Sequence, residues 1–380
     1  MAIEIFGVWF NIFEFFVIPL FILLAPVLLL TRAKIKGKGL LSMYLLTASL
    51  FLVSILLSFY GAIDKGAVAK AFLKWIEIFG LSILVFLYCS SIKRFKQIWW
   101  LLILILFVNI CISLIGATTE IQRGICWYWR LRQISAYSAL FLLALILPFF
   151  EKSFPIALMS VFLGILVVLS LTRGAWFGLI AIGGYWFWKI RYKRKVLRIV
   201  VLSGTLIVLT LLILPPIAGA VRHKIQSALS LESPSNRERL GMAIMALNFF
   251  LRHPLIGIGA ENFSSYLFER EIPSFISSQN PGKLTPHNFF LQVAAENGII
   301  GLFAILGWLW AIFRILFRSP IPGPLFSYIS GLRLFFIATL ISLMFGYVAG
   351  GARLVLALYT GLVFGTLRSK LYDYVYQDTA

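Results

Sequence analysis

Residues 154–190 read FPIALMSVFLGILVVLSLTRGAWFGLIAIGGYWFWKI, and between Phe154 and Trp188 a single charged side chain, Arg173, interrupts the apolar sequence. A helix needs about 20 apolar residues to cross the hydrocarbon of a bilayer, and each half of this stretch has nearly that many. The stretch therefore predicts two membrane-crossing helices, 154–172 and 174–190, that turn around at Thr172-Arg173-Gly174.

The same pattern repeats along the chain. Further spans are expected at about 8–30, 40–60, 72–91, 98–117, 133–150, 199–218, 289–313, 326–348 and 352–368. The predicted fold is all-α, a polytopic membrane protein with about 11–12 transmembrane helices, the upper figure applying if the first region divides in two. Composition agrees: of 380 residues, 61% are hydrophobic and only 13% charged. The three cysteines, Cys89, Cys111 and Cys126, lie in or beside apolar runs, which excludes a secreted disulfide scaffold. A net charge of +20 invites a nucleic-acid reading. The basic residues, however, fall in short clusters between apolar runs, the pattern that orients a membrane protein and meets anionic headgroups. Membrane lipid, and no nucleic acid, is the expected partner.

Direction follows from alternate loops. One set holds Arg32, Lys34, Lys36 and Lys38, then Lys93, Arg94 and Lys96, then Lys152, then six basic residues from Lys189 to Arg198, then Arg314 and Arg318, then Arg368 and Lys370. The short loops on the other side hold fewer, so the first set and the C-terminus are expected in the cytoplasm. Glu4 and Glu14 stand where a signal peptide carries positive charge, so no cleavable leader is expected. Three regions result: 1–218 with the N-terminal helices, an outer loop at 219–288, and 289–380 with the C-terminal helices. The loop is far longer than an ordinary connection. It carries His223, His253 and His287 and a helix expected at Glu238–Leu251, with Asn236 as its cap and Pro254, Gly257 and Gly259 ending it.

Four residues stand out chemically. Arg173 sits at a hairpin tip beside hydrocarbon, where it either reaches a lipid phosphate or aims into a cavity between helices. Arg237 and Arg239 open the loop helix; either could pair with Glu238 or Glu232, or grip phosphate oxygens with its planar fork. His287 precedes Asn288, a cap for the ninth span, and the positive end of that helix favours a neutral imidazole, the form a general base needs. The loop has no Asp, and its glutamates show no spacing for a divalent-metal cage, so no metal or other cofactor is expected. Were a diphosphate handled here, arginines would have to supply the positive charge.

Leu171–Trp176, Asn236–Leu240, His253–Phe263 and His287–Gly301, in this order and spacing, resemble the bacterial O-antigen ligase and polymerase superfamily over about residues 155–310. The resemblance implies a multi-pass enzyme of the bacterial inner membrane with its active site facing the periplasm. Its implied reaction moves a glycan from undecaprenyl pyrophosphate to an acceptor hydroxyl, such as that of lipid A-core, without a metal or a nucleotide sugar and with inversion. Polymerases of the same superfamily join repeat units, and related enzymes glycosylate protein Ser or Thr. Carried onto this chain, the base is His287 and the diphosphate ligands are Arg173 and Arg239. Position 243 is Ala where the family usually places an aromatic, which leaves Arg237 open beside Arg239. Two rivals come from other classes. A transporter of anionic solutes would line its path with intramembrane charges, of which only Glu14, Glu77 and Arg333 lie deep in spans. An assembly protein would use the loop to dock a periplasmic partner and tolerate His287→Ala.

Overall fold

The structure, a computed structural model, describes residues 2–5, 8–11, 38–123, 128–170, 172–189, 226, 234–270, 284–317, 325–345 and 353–367. Strands β1 (Ala2–Ile5) and β2 (Val8–Asn11) pair antiparallel. The remaining elements are helices: α1 (Lys38–Ser58), α2 (Lys65–Tyr88), α3 (Ile92–Arg123), α4 (Tyr128–Ile146), α5 (Phe154–Leu169), α6 (Arg173–Lys189), α7 (Pro234–Arg252), α8 (Phe263–Arg270), α9 (Phe289–Phe317), α10 (Phe326–Phe345) and α11 (Arg353–Gly365). A 3-10 turn, Leu147–Lys152, joins α4 to α5, with Pro148 near its start.

Five of these helices, α1, α2, α3, α9 and α10, are long and apolar enough to cross a membrane. Their outward side chains suit lipid rather than water: Leu46, Ile112, Ile115 and Phe303 are all exposed. The chain is thus an all-α, multi-pass membrane protein apart from the short N-terminal hairpin. That hairpin corrects the expected first span at its start, because residues 8–11 are strand. Val8-Trp9-Phe10 are residues that favour extended backbone, and they follow Gly7. The rest of that span lies outside the described residues, as does the span at 199–218. The span expected from 72 begins at Lys65, because the Asp64 carboxylate caps it by accepting from the Ala67 N–H at 2.9 Å.

The chain divides into two compact units. The first is drawn from residues 1–99, 238–323 and 347–380. In it α1 packs antiparallel to α9, and small residues allow the approach: a Cβ on Gly307 would lie 2.7 Å from Thr47, and one on Gly301 would lie 3.0 Å from Ser54. Along the other pair, Gly361 meets Val85 and Ser82 and Gly365 meets Cys89, so α11 runs parallel to α2. Aromatic rings fill the space between them, with Trp75 and Phe79 each edge-on to Trp308 at 6.4 and 6.1 Å. Hydroxyls inside these helices return to their own backbone, as Ser54 and Ser58 do to Phe51 and Ile55.

The second unit is drawn from residues 100–237 and 324–346. Here α10 packs against α4 and α6, with Phe141 stacked on Phe335 at 4.7 Å and Phe177 on Phe345 at 4.8 Å. The α5–α6 hairpin predicted at 154–190 is present. Its second helix lies so close to α4 that a Cβ on Gly174 would come within 2.5 Å of the Tyr137 hydroxyl.

Candidate active site

The candidate residues stand where helices begin. In the first unit, α7 and α8 fold over the start of α9. Met242, Ala246 and Phe249 of α7 share a buried cluster with Phe263, Tyr266 and Leu267 of α8, together with Ile258, Leu284 and Ala295. Phe249 sits edge-on to Tyr266 at 5.0 Å, and Tyr266 in turn holds His253 through a 2.8 Å hydrogen bond between hydroxyl and Nε2. His253 is thereby a fastener at the end of α7. His223 lies outside the described residues.

The turn after α7 locks onto a break in α9. Gly298 has φ 65° and ψ −165°, outside helical geometry, while helix continues on both sides of it. The Gly257 backbone, at φ 74°, fits against Glu296 and Asn297 so closely that a Cβ would lie 2.3 Å from the Glu296 carbonyl carbon. Three backbone bonds hold the two segments, Ile258 N–H to the Ala295 carbonyl at 2.9 Å, Gly259 to Glu296 at 3.0 Å and Ile299 to Pro254 at 2.8 Å, while Gly257 N–H bonds back to His253 at 3.0 Å within the turn. The Glu296 carboxylate, buried beside this junction, accepts from the backbone N–H of Glu261 at 2.9 Å and of Phe263 at 3.3 Å, and from the Gln292 amide at 3.1 Å. It ties the start of α8 to α9.

The same loop is fastened to the turn between α1 and α2. Asn262, fully buried, accepts from the Asp64 N–H at 2.7 Å and donates to the Asp64 carbonyl at 3.0 Å. Ala260 N–H donates to the Ser58 hydroxyl at 3.0 Å, and Lys74 grips the Glu261 carboxylate at 2.6 and 2.8 Å. The α1–α2 turn, the loop at 253–262 and the start of α9 thus meet at one end of the unit.

His287 sits at that end. Its φ of 52° places a non-glycine residue in the left-handed region, where strain is stored at functional positions. Leu284 and Pro286 before it are buried, and the Asn288 carboxamide caps α9 by accepting from the Leu291 N–H at 3.1 Å, as the sequence predicts. His287 as a residue is exposed, yet the protein packed around its ring disfavours the imidazolium. Desolvation, and then the positive charge of Arg239, push its pKa down from the ordinary 6.5 to about 4. At neutral pH the imidazole is neutral and able to accept a proton.

Arg239 lies half-buried on α7, whereas Arg237, two residues earlier, is exposed. The helix begins at Pro234, so Asn236 is inside its first turn and is not the cap that was expected. Proline is favoured at the first helical position because its missing N–H needs no partner there. In the second unit, Asn236 instead accepts a short hydrogen bond from the Arg173 guanidinium at the start of α6. Arg173 therefore touches the first turn of α7. A cation at a helix N-terminus opposes the dipole, so both contribute positive potential to the same place.

Sequence reasoning missed Glu296, Asn262 and Lys74 as the residues that hold this end together. The signal was present for one of them: Glu296, within an otherwise apolar run, is costly to bury without several donors. Among the described residues no cluster of three His, Cys, Asp or Glu side chains gathers. A family model described as O-antigen ligase matches residues 158–306, less than half of the chain but all of the segments just described from α6 to the Gly298 break. No curated protein matches the sequence.

Proposed function

We propose that this chain, whose residues 158–306 match a family model described as O-antigen ligase, transfers a glycan from undecaprenyl pyrophosphate to an acceptor hydroxyl at the periplasmic face of a bacterial inner membrane. The observation that supports this reading is His287, held at a left-handed φ with its pKa lowered by burial and then by the Arg239 guanidinium. A base beside a fixed cation is what displacement of a diphosphate requires, with a proton leaving one side of the reaction and negative charge growing on the other.

In this mechanism Arg239 and Arg173 bind the diphosphate. Their planar forks match its oxygens and stay charged at any working pH. Arg237 is the alternative to Arg239; its exposure and the influence of Arg239 on His287 favour Arg239. His287 accepts the proton of the acceptor hydroxyl as the oxygen attacks the anomeric carbon, the bond to the diphosphate breaks, and a single displacement inverts that centre. No nucleotide sugar and no metal take part. The acceptor is lipid A-core in the ligase reading; the same site serves a polysaccharide polymerase or a protein O-glycosyltransferase with another acceptor.

The test is transfer by the purified protein in proteoliposomes, given an undecaprenyl-pyrophosphate-linked oligosaccharide and, in separate reactions, lipid A-core or a second donor molecule. Product on lipid A-core supports the ligase, and elongated carrier-linked glycan the polymerase. Failure with every acceptor, in protein that is monodisperse, overturns the enzyme reading. EDTA leaves turnover unchanged; inhibition by EDTA that Mg²⁺ reverses overturns the arginine-only mechanism.

A further inference from the structure

Helix α7 is apolar on two opposite sides. At about 3.6 residues per turn, Met242, Ala246 and Phe249 share the side that is buried in the loop's own cluster. Leu240, Ile244, Leu247 and Leu251 share the other, and they are exposed by 59, 50, 46 and 64%. Four large aliphatic side chains in one line, on a helix that already has its core contact, form an apolar stripe that water does not stabilise. An ordinary solvated helix places charge there.

Two further observations say what covers the stripe. Arg237 and Arg252, both exposed, lie near its two ends and on the same flank, so the apolar line is bracketed by positive charge. This is the pattern of a helix that rests in a bilayer interface, with aliphatic groups among acyl chains and guanidinium groups at headgroup phosphates. The chain leaving α7 is also held at that level. Leu255 is exposed, and five residues later Ala260 bonds to Ser58, the last residue of the membrane-crossing α1. Beside Ser58, Phe59 and Tyr60 are exposed and Lys65 stands over the Phe59 ring at 5.4 Å, the aromatic and basic dressing of a membrane-water boundary.

We propose that α7 lies on the outer leaflet of the membrane, its Leu240–Leu251 stripe in the acyl region and Arg237 and Arg252 on anionic lipid phosphates. The loop helix is then a membrane-docked element. This inference does not depend on glycan transfer. Arg239 lies on the opposite flank of the helix from Arg237 and Arg252.

The experiment is photocrosslinking of the full chain in vesicles of phosphatidylethanolamine and phosphatidylglycerol. Leu247→p-benzoylphenylalanine and Leu251→p-benzoylphenylalanine report on the stripe, and the same replacement at Glu269, exposed on α8, is the water-facing control. Intact-mass analysis after illumination is expected to show lipid adducts at 247 and 251 at about tenfold the yield at 269, enriched in phosphatidylglycerol relative to its share of the vesicle. Arg252→Glu is expected to abolish that enrichment. Adduct yields at both stripe positions no higher than at 269, or covalent dimers of the chain in their place, overturn the proposal. Enrichment that survives Arg252→Glu overturns the role given to its charge. Two positions on exposed surface guard against a single variant that fails to fold.

Discussion

His287 combines three properties that seldom meet in a loop histidine: left-handed backbone, a crowded setting and a nearby guanidinium. The first was not legible in the sequence, since nothing in Pro286-His287-Asn288 specifies φ. Nor were the second and third: the sequence suggested a neutral imidazole through the helix dipole, whereas burial and then the Arg239 charge are what lower its pKa. If it is the base, His287→Ala lowers transfer by about 10²–10⁴-fold, with little change in melting temperature; full activity in a well-folded variant removes it from the mechanism. Its lowered pKa places the acid limb of the rate profile near pH 4–5 and not at the ordinary 6.5. The same shift acts on stability. The unfolded chain takes up a proton that the folded one refuses, so stability falls as pH drops from 6.5 towards 4 and this contribution levels off below. In His287→Gln that part of the slope is lost, which thermal unfolding across the window would read. For the arginines, charge alone is not sufficient. Arg239→Lys is expected to cost about 10–100-fold in transfer, and Arg237→Lys little; the reverse ranking would reassign the diphosphate ligand.

At the scale of elements, the two glycine-bearing blocks were readable separately and their meeting was not. Pro254, Gly257 and Gly259 announced the end of a helix, and they end α7. Gly298, nine residues past the apolar start of α9 at Phe289, looked like an ordinary small residue of a span. Its φ of 65° and the 2.2 Å that would separate a Cβ from the Leu255 carbonyl oxygen show it as half of a backbone junction. The helix breaks there because Leu255 and Pro254 need the space and the N–H of Ile299. Such a contact between segments about forty residues apart leaves no periodicity to read. Gly298→Ala meets both obstacles, strain at positive φ and a clash with backbone that cannot move aside, and is expected to destabilise by about 2–5 kcal/mol. Thermal unfolding in detergent checks it: a variant within a degree or two of the parent would mean that the junction adapts. Asn236 teaches the same lesson at another helix. Its side chain could cap or could accept, and only the placement of Pro234 and the nearness of Arg173 decided for accepting.

For the molecule as a whole, hydropathy and charge made the all-α, multi-pass architecture legible, since no other reading buries so many long apolar runs. Interior charge was legible only as a warning. Glu77 was conspicuous in the middle of α2, twelve residues from the Lys65 end, or about 18 Å at 1.5 Å per residue. Its partner was not evident, because Arg353 lies 276 residues away and the ion pair between them, at 3.0 Å, exists only once α11 lies parallel to α2. The pair fixes depth as well as charge. Arg353 opens α11 level with Glu77, and twelve residues on, Gly365 lies level with Cys89, twelve residues past Glu77. A one-turn slip of either helix would separate the two charges, which are mostly buried. Glu77→Leu strips the carboxylate from a mostly buried guanidinium and is expected to cost about 3–5 kcal/mol, whereas Glu77→Leu combined with Arg353→Leu regains most of it. Melting temperatures of the two single variants and the double variant decide. If the two single losses simply add, the charges act independently, and the register of α2 against α11 rests on Gly361 and Gly365 alone.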